Sequence, residues 1–454
     1  MIRKFRIELI IVLAMLTGLL VGCSTKTEER SDTRSTLKVM YYDKNGYYYQ
    51  YGMLFSALYP NVDVEVVSTN DINYEDGEDR NKALIKFIDE QKPDVLMLSA
   101  EQYKQLSNEG RLYDLDARAK RDKYDLDGIV PGVISYIREL SEGKLYGLSP
   151  SFYSKAVYYN KDLFTQYGVP LPEDKMSWDS LLQLAARFPT SGTGEDRIYG
   201  IQRKHSYDLY NLGTNIGSTM GLDVFNVSSM KMTINTDSWK AAFETAQKAI
   251  QSGAMYTIEN QGAMSYNTYE DYLFESPFIN GKIAMVVDDN GLRNQIKAAQ
   301  SANKERAIKN WDIVTVPVNP QNPDVTDTMS IDQIFAIDAK STNIEAAWKF
   351  ISYVNSDEFA KVKSKINSGS LPVRTKYIKD EEGHNLQAFI SLKPVEATLY
   401  KDYDKLPNEF FSQILKLTQE QLSQVTNKQQ SISEALDNIQ KIGQELLNKQ
   451  KVIK

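Results

Sequence analysis

Leu37-Lys-Val-Met-Tyr-Tyr42, Val62-Asp-Val-Glu-Val-Val67 and Asp94-Val-Leu-Met-Leu-Ser99 are the apolar runs whose reading decides the fold. Each is short and rich in β-branched, aliphatic or aromatic side chains, as a strand requires. Between the second and the third, Asn81 to Glu90 sets Leu84, Ile85 and Ile88 at helical spacing. Strand, helix and strand in succession predict parallel pairing in an open α/β sheet. A ligand of such a sheet sits beyond the carboxyl ends of its strands. Tyr41 to Tyr49 follow the first run and Ser99 to Gln102 follow the third, so both segments fall at that edge.

The same edge is rich in tyrosine. The chain has 28 Tyr against 16 Phe, clustered at Tyr41, Tyr42, Tyr47, Tyr48, Tyr49 and Tyr51, at Tyr153, Tyr158 and Tyr159, and at Tyr207 and Tyr210. A core built for burial alone favours Phe, because a buried phenol needs a hydrogen-bond partner. Tyrosine suits a surface that offers an apolar face and a polar tip to a polar solute. Sugars have C–H faces that stack on aromatic rings and hydroxyls that pair with Asp, Asn or Tyr. Packing between helix and sheet is an equal claim on any one of these residues. Strand-end geometry selects Tyr42, Tyr47, Ser99 and Glu101 as ligand-contacting candidates.

Helices farther along carry clear apolar stripes. Ser177 caps Trp178, Leu181, Leu182, Ala185 and Phe188, and Asp237 opens Trp239, Ala242, Phe243, Ala246 and Ile250. Thr342 with Glu345, and Ser431 with Glu434, have capping-box spacing. The last helix, with Ala435, Leu436, Ile439, Ile442 and Leu446, is too short for sustained heptads and is expected to pack on the body. Trp178, Trp239 and Trp348 lie on such stripes and are expected in the core.

The N-terminal sequence has the pattern of an export signal. Arg3, Lys4 and Arg6 precede an apolar stretch from Leu9 to Leu20, and Leu20-Val21-Gly22-Cys23 holds the chain's one cysteine. This reads as a lipoprotein signal peptide over residues 1–22 ending in a lipobox, with Cys23 the acylated residue. Stable attachment takes two or more buried acyl chains. Residues 23–36, rich in Ser, Thr and charge, are expected to form a flexible tether. The expected location is the outer face of the cell membrane.

Composition excludes other classes. The formal net charge is −7, with no basic cluster for nucleic acid. Only His205 and His384 are present, with no CxxC, HxH or HExxH, so no metal is expected. The acidic run Asp71 to Asp79 fails the calcium-loop pattern, since Gly77 arrives one place late and the twelfth position is Lys82. No GxSxG elbow, P-loop or GxGxxG after a strand is present. Paired carboxylates for glycoside hydrolysis stay open, because that chemistry is set by a separation in space.

Several segments together resemble the extracellular solute-binding proteins of ABC importers, specifically the sugar-binding group that includes maltose-binding protein. They are Pro93 to Ser99 with Glu109 to Leu115, Gly143-Lys-Leu-Tyr-Gly147, Tyr158-Tyr-Asn-Lys-Asp-Leu-Phe164, Gly168 and Ser177-Trp-Asp179. Asn280-Gly-Lys-Ile-Ala-Met285, Ala346-Ala-Trp-Lys-Phe350 and Gly369-Ser-Leu-Pro-Val-Arg374 complete the set. The resemblance implies a two-lobe, type II periplasmic-binding-protein-like α/β fold whose hinge strands cross near Ser149–Tyr153, Met329–Asp332 and Lys376. Lobe 1 is then 36–150 with 331–376, and lobe 2 is 151–330 with 377–454. It also implies sugar contacts at Tyr153 and Ser154, and aromatic contacts of lobe 2 near Tyr207 and Tyr210. Where the family commonly has an aromatic residue after the GKxAM strand, this chain reads Val286-Val-Asp-Asp-Asn290, which trades a stacking platform for acids, argues against a maltodextrin, and leaves Asp288 or Asp289 to accept from sugar hydroxyls or to pair with a cationic group. The implied function is capture of a small polar solute, a mono- or oligosaccharide before others, for ABC permease subunits, by a monomer without cofactor or catalysis. A peptide or other non-sugar solute, an exported carbohydrate-acting hydrolase, and a ligand sensor remain the alternatives.

Overall fold

Strand β1 (Ser35–Tyr41) buries Leu37, Val39, Met40 and Tyr41, the residues that made the first run legible. In the computed structural model, which describes residues 34–74, 80–192, 197–203, 208–256, 267–366 and 369–450, β1 pairs in parallel with β2 (Val62–Ser68) and β3 (Val95–Leu98). The helix Arg80–Gln91 makes the crossover and buries Leu84 and Ile88. Strand β4 (Gly147–Leu148) and β13 (Ile334–Ile337) complete the sheet in the order β2-β1-β3-β13-β4, with β13 antiparallel to both neighbours. Ile334 lies opposite Leu98. Gln333 therefore leaves the sheet at the same edge as Ser99 and Tyr42.

A second sheet holds β6 (Lys155–Asn160), β7 (Tyr199–Arg203), β10 (Ile283–Asp289) and β11 (Trp311–Thr315) in the order β11-β6-β10-β7. Along β6 alternate residues serve two cores, as the pleat demands. Ala156 and Tyr158 join the core that continues under the first sheet, while Val157 and Tyr159 join the other. That second core is closed by the helices Asn408–Thr426 and Ile432–Leu447. A small hairpin of β8 (Phe225–Asn226) and β9 (Lys231–Met232) takes the last helix, and β12 (Val325–Thr326) pairs with β15 (Lys393–Pro394). Between the sheets β5 (Ser151–Phe152) runs antiparallel to β14 (Leu371–Pro372). Tyr153 and Ser330 exchange backbone hydrogen bonds of 2.9 and 3.0 Å beside them. The architecture is a two-lobe α/β fold.

Ser177 caps its helix, and Ser431 with Glu434 forms the expected capping box. Thr342 and Glu345 do not. The helix Ile344–Val354 begins one residue later than that box requires: Asn343 is at the N-cap with its amide donating to the Asp94 carboxylate at 3.2 Å rather than capping, and both Glu345 oxygens accept from the buried Arg118 guanidinium at 2.6 and 2.7 Å. Trp178, Trp239 and Trp348 are buried. The last helix packs on the body, but its buried face ends on Gly443 and Leu447, leaving Ile442 39% exposed. A Cβ on Gly443 would lie 2.8 Å from Met232 Cε and 3.0 Å from Ile414 Cδ1, so a side chain there would have to displace the flexible end of Met232. Residues 75–79 of the acidic run lie outside the described residues.

Candidate ligand site between the lobes

Two half-exposed rings stand where the lobes join. Tyr42 follows β1 and is 45% exposed, and Tyr153 stands on the first crossing segment at 41%. Burial raises the Tyr153 phenol above its usual range, and the charges of Asp332 and Asp289 and the neighbouring Tyr42 add to this. Tyr42 is raised by burial first and then by Asp332. Four segments far apart in sequence thus converge on one place.

Beneath the rings Gln333 is held from two sides. Its Nε2 donates to the Tyr41 hydroxyl at 3.2 Å, and the Tyr51 hydroxyl donates to its Oε1 at 2.5 Å. Tyr41 and Tyr51 are buried, at right angles to each other, and Tyr51 also lies parallel to Phe359. An amide bonded at both its nitrogen and its oxygen over packed aromatics makes a stiff floor, and stiff elements hold a binding constellation in place.

Asp289 ends β10 and caps the helix Asn290–Ala302, its Oδ1 accepting from the Gly291 N–H at 2.7 Å. Its backbone oxygen accepts from the buried Tyr158 hydroxyl at 2.8 Å. A Cβ on Gly291 would lie 2.7 Å from Asp289 Oδ1, and one on Gly369 would lie 3.0 Å from it. Glycine at both positions lets lobe 1's returning chain reach the carboxylate. The site so built offers aromatic faces, carboxylate acceptors and phenol tips, the donor set a polyhydroxylated solute needs.

The structure sorts the sequence candidates. Tyr42, Tyr153 and Asp289 come together. Ser99 lies at the same sheet edge, exposed, with its hydroxyl accepting from the Gln102 N–H at 3.2 Å as a helix cap. Glu101 is exposed in the first turn of that helix, and its carboxylate accepts from Asn81 at 3.4 Å. Tyr47 is corrected to the core. It is 0% exposed, with its ring against Tyr51 and Phe350, because Asp43 caps a helix over Lys44–Tyr47 that turns it inward. Tyr210 makes its contacts elsewhere, its hydroxyl 2.7 Å from that of Tyr400 and its ring against the second core. Ser154 is buried and donates to the Phe389 carbonyl at 2.8 Å, a structural bond. Tyr207 and Cys23 lie outside the described residues. Sequence reasoning missed Asp332 and Gln333. The signal was there, since Ser330-Ile-Asp-Gln333 sets polar groups directly before the buried run Ile334-Phe-Ala-Ile337. Among the described residues no group of His, Cys, Asp and Glu could hold a metal ion, and no helix is long and apolar enough to cross a membrane.

Two such sheets, with Tyr42, Tyr153 and Asp289 drawn to their junction, fit the plan of a solute-binding receptor. Residues 31–361 match the model of the bacterial extracellular solute-binding proteins, and the chain belongs to that family. Its fold is shared with the ABC substrate-binding protein Lmo0181 of Listeria monocytogenes in complex with cycloalternan, at TM-score 0.54 and 20% identity over 91% of this chain and 98% of that one. The sugar-binding protein MalE of Xanthomonas citri superposes at TM-score 0.60 and 18% identity, covering 91% of this chain and 98% of the other. A family 1 extracellular solute-binding protein of Alicyclobacillus acidocaldarius gives TM-score 0.62 and 15% identity over 91% of this chain and 99% of that one. Among curated relatives, a binding protein of Brucella abortus is 28% identical over 267 residues, 56% of this chain and 57% of its own length. The match thus spans a little over half of that relative.

Proposed function

We propose that the protein is a lipid-anchored extracellular receptor that captures a mono- or oligosaccharide between its lobes and passes it to ABC permease subunits. The observation that carries this reading is the grouping of Tyr42 and Tyr153 with Asp289 and Asp332 between the lobes. Half-exposed aromatic rings stack on sugar C–H faces and carboxylates accept from sugar hydroxyls, while the hydrogen-bonded Gln333 keeps the floor rigid. Related folds support the class of solute, with structures holding cycloalternan, maltose and D-mannitol. The role is binding without catalysis, by a monomer tethered through Cys23.

The lobes are taken as 36–150 with 331–376, and 151–330 with 377–454. Sheet membership supports this division, since β1 to β4 and β13 share one sheet and β6, β7, β10 and β11 share the other. A thermal-shift screen against a library of mono- and oligosaccharides tests the reading, because a ligand that binds only the folded chain raises its melting temperature by mass action. A sugar hit confirmed by calorimetry is the expected result. Stabilisation by peptides or other solutes and by no sugar would overturn it.

A further inference from the structure

Between Lys44 and Asp63 there is no Asp, Glu, Lys or Arg, in a chain of which 25% is charged. This stretch forms the continuous helical turns Lys44–Tyr47, Tyr48–Gly52 and Met53–Leu58, which run back along the first sheet from its ligand edge. Their inner face, Tyr47, Tyr51 and Phe55, is buried. Their outer face is apolar as well, with Tyr49, Met53, Leu54 and Leu58 exposed by 38 to 76%. The helix Asp357–Lys363 lies alongside, since Phe359 stacks on Tyr51 at 5.6 Å and Lys363 donates to Gln50. Val362 and Ile366, within it and just after it, are exposed too. Single exposed apolar residues are ordinary, but a group on two adjacent segments marks an interaction surface.

The rim of this face is mainly cationic. Lys361 and Lys365 are exposed beside Val362 and Ile366, and the Lys349 ammonium lies 5.4 Å over the Tyr59 ring, next to Leu58. Among the described residues these three lysines pair with no carboxylate. Glu358 stands against them, its charge adding to the burial that raises the Tyr59 phenol. The chain also enters the fold at this place. Ser35 donates its N–H to the Asn61 carbonyl at 3.1 Å and is the register partner of Val62, so β1 begins where the outer face ends. From Cys23 to Ser35 the chain reaches at most about 40 Å when fully extended. A body acylated at Cys23 therefore keeps this face within reach of the bilayer. We infer that Tyr49, Met53, Leu54 and Leu58 lie against an anionic lipid surface, with Lys349, Lys361 and Lys365 among its headgroups. Apolar side chains enter the boundary between headgroup and acyl chain, and ammonium groups are drawn to the negative surface over about a Debye length. The inference rests on the lipid-anchored reading for the nearness of the membrane. One such face alone holds weakly and reversibly, so it orients a tethered body and does not replace the acyl chains.

The test uses the mature chain carrying Cys23→Ser, so that no acyl chain contributes and no native thiol remains. Vesicles of phosphatidylglycerol with phosphatidylcholine are compared with phosphatidylcholine alone by flotation at low salt, and every variant is checked for a cooperative melt. The parent should float with the anionic vesicles, and added salt should weaken this. Met53→Gln with Leu58→Gln should lower the partition by at least about tenfold, and Lys361→Gln with Lys365→Gln should lower it on anionic vesicles. Leu171→Gln, at an exposed leucine of lobe 2, should leave it unchanged. An environment-sensitive fluorophore on Met53→Cys should shift to the blue when vesicles are added, and one on Leu171→Cys should not. No flotation of the parent, or equal flotation of all variants, overturns the lipid face. A dimer that Met53→Gln with Leu58→Gln dissolves gives the face to a second copy, and flotation only with vesicles carrying permease subunits gives it to the permease; either result overturns the inference. The two failures are separable: a native Cys23 found unacylated sinks the anchor, while flotation alone decides the lipid face.

Discussion

Tyr47 and Tyr42 lie five positions apart in one tyrosine cluster, and their surroundings divide them between core and site. The Tyr47 hydroxyl is buried with no hydrogen-bond partner among the described residues, and burial pushes its pKa far up. A buried unsatisfied hydroxyl costs about 1–3 kcal/mol. Tyr47→Phe should therefore stabilise the fold by about 1 kcal/mol in urea denaturation and leave solute affinity unchanged. A drop in affinity would return Tyr47 to the site. Tyr42→Ala and Tyr153→Ala should behave in the opposite way, weakening solute binding by at least about tenfold, the loss expected of an aromatic anchor. Their melting temperatures should stay close to the parent's, since both rings are half-exposed. Calorimetry beside a melt separates the two outcomes. Composition announced that tyrosine mattered here, yet it could not sort these positions. The sorting depends on Asp43 capping a short helix, which the sequence shows only as an Asp three residues before Gly46.

Helices were legible where one face is apolar and obscure where the partner face is small. Of the stripe, Trp239, Ala242, Phe243 and Ala246 are buried, while Ile250 at its end is only half-buried. What the stripe packs on could not be read, because Leu209–Thr219 meets it through Gly213 and Gly217, residues with no hydrophobic signal. A Cβ on Gly213 would lie 2.2 Å from Phe243 Cδ1, and one on Gly217 would lie 2.2 Å from Trp239 Cζ3. Helix propensity alone would make Gly→Ala favourable by about 1 kcal/mol. Overpacking at such a distance costs about 1–3 kcal/mol and rigid ring atoms leave little relief. Gly213→Ala and Gly217→Ala should each be destabilising on balance, with a lower urea midpoint. A higher midpoint would mean that the two helices separate at little cost. The failed capping box at Thr342 teaches the same lesson. The local pattern fits the rule, but two residues far off in sequence override it: Asp94 takes the side chain of the N-cap Asn343, and Arg118 holds Glu345 with two strong bonds.

The whole molecule was legible in its fold class because strands, crossovers and ordered family segments repeat along the chain, whereas the site draws on residues near 42, 153, 289 and 332 that only the fold assembles. Two properties of the whole now invite measurement. If acyl chains on Cys23 supply the attachment, Cys23→Ser should release the protein to the medium or leave it unprocessed, as fractionation and blotting would show. A processed mutant retained at the membrane would contradict the anchor. The second concerns motion. The lobes are joined through the antiparallel pair of Ser151–Phe152 with Leu371–Pro372, beside which the crossing segments bond Tyr153 to Ser330. One apolar core also runs on beneath the joint, from Phe335 and Phe350 to Tyr158 and Trp311. A narrow joint over a continuous core favours a limited hinge rotation rather than independent tumbling. Solute bridging Tyr42 on one side and Asp289 on the other should bias that rotation toward closure, since it gains contacts only when both lobes reach it. Small-angle scattering with a saturating solute should then show a smaller radius of gyration, and the crossing segments should resist proteolysis longer. A tight-binding solute that leaves the scattering curve unchanged would mean that the lobes are already fixed, and that the cleft is a rigid pocket in which affinity owes nothing to closure.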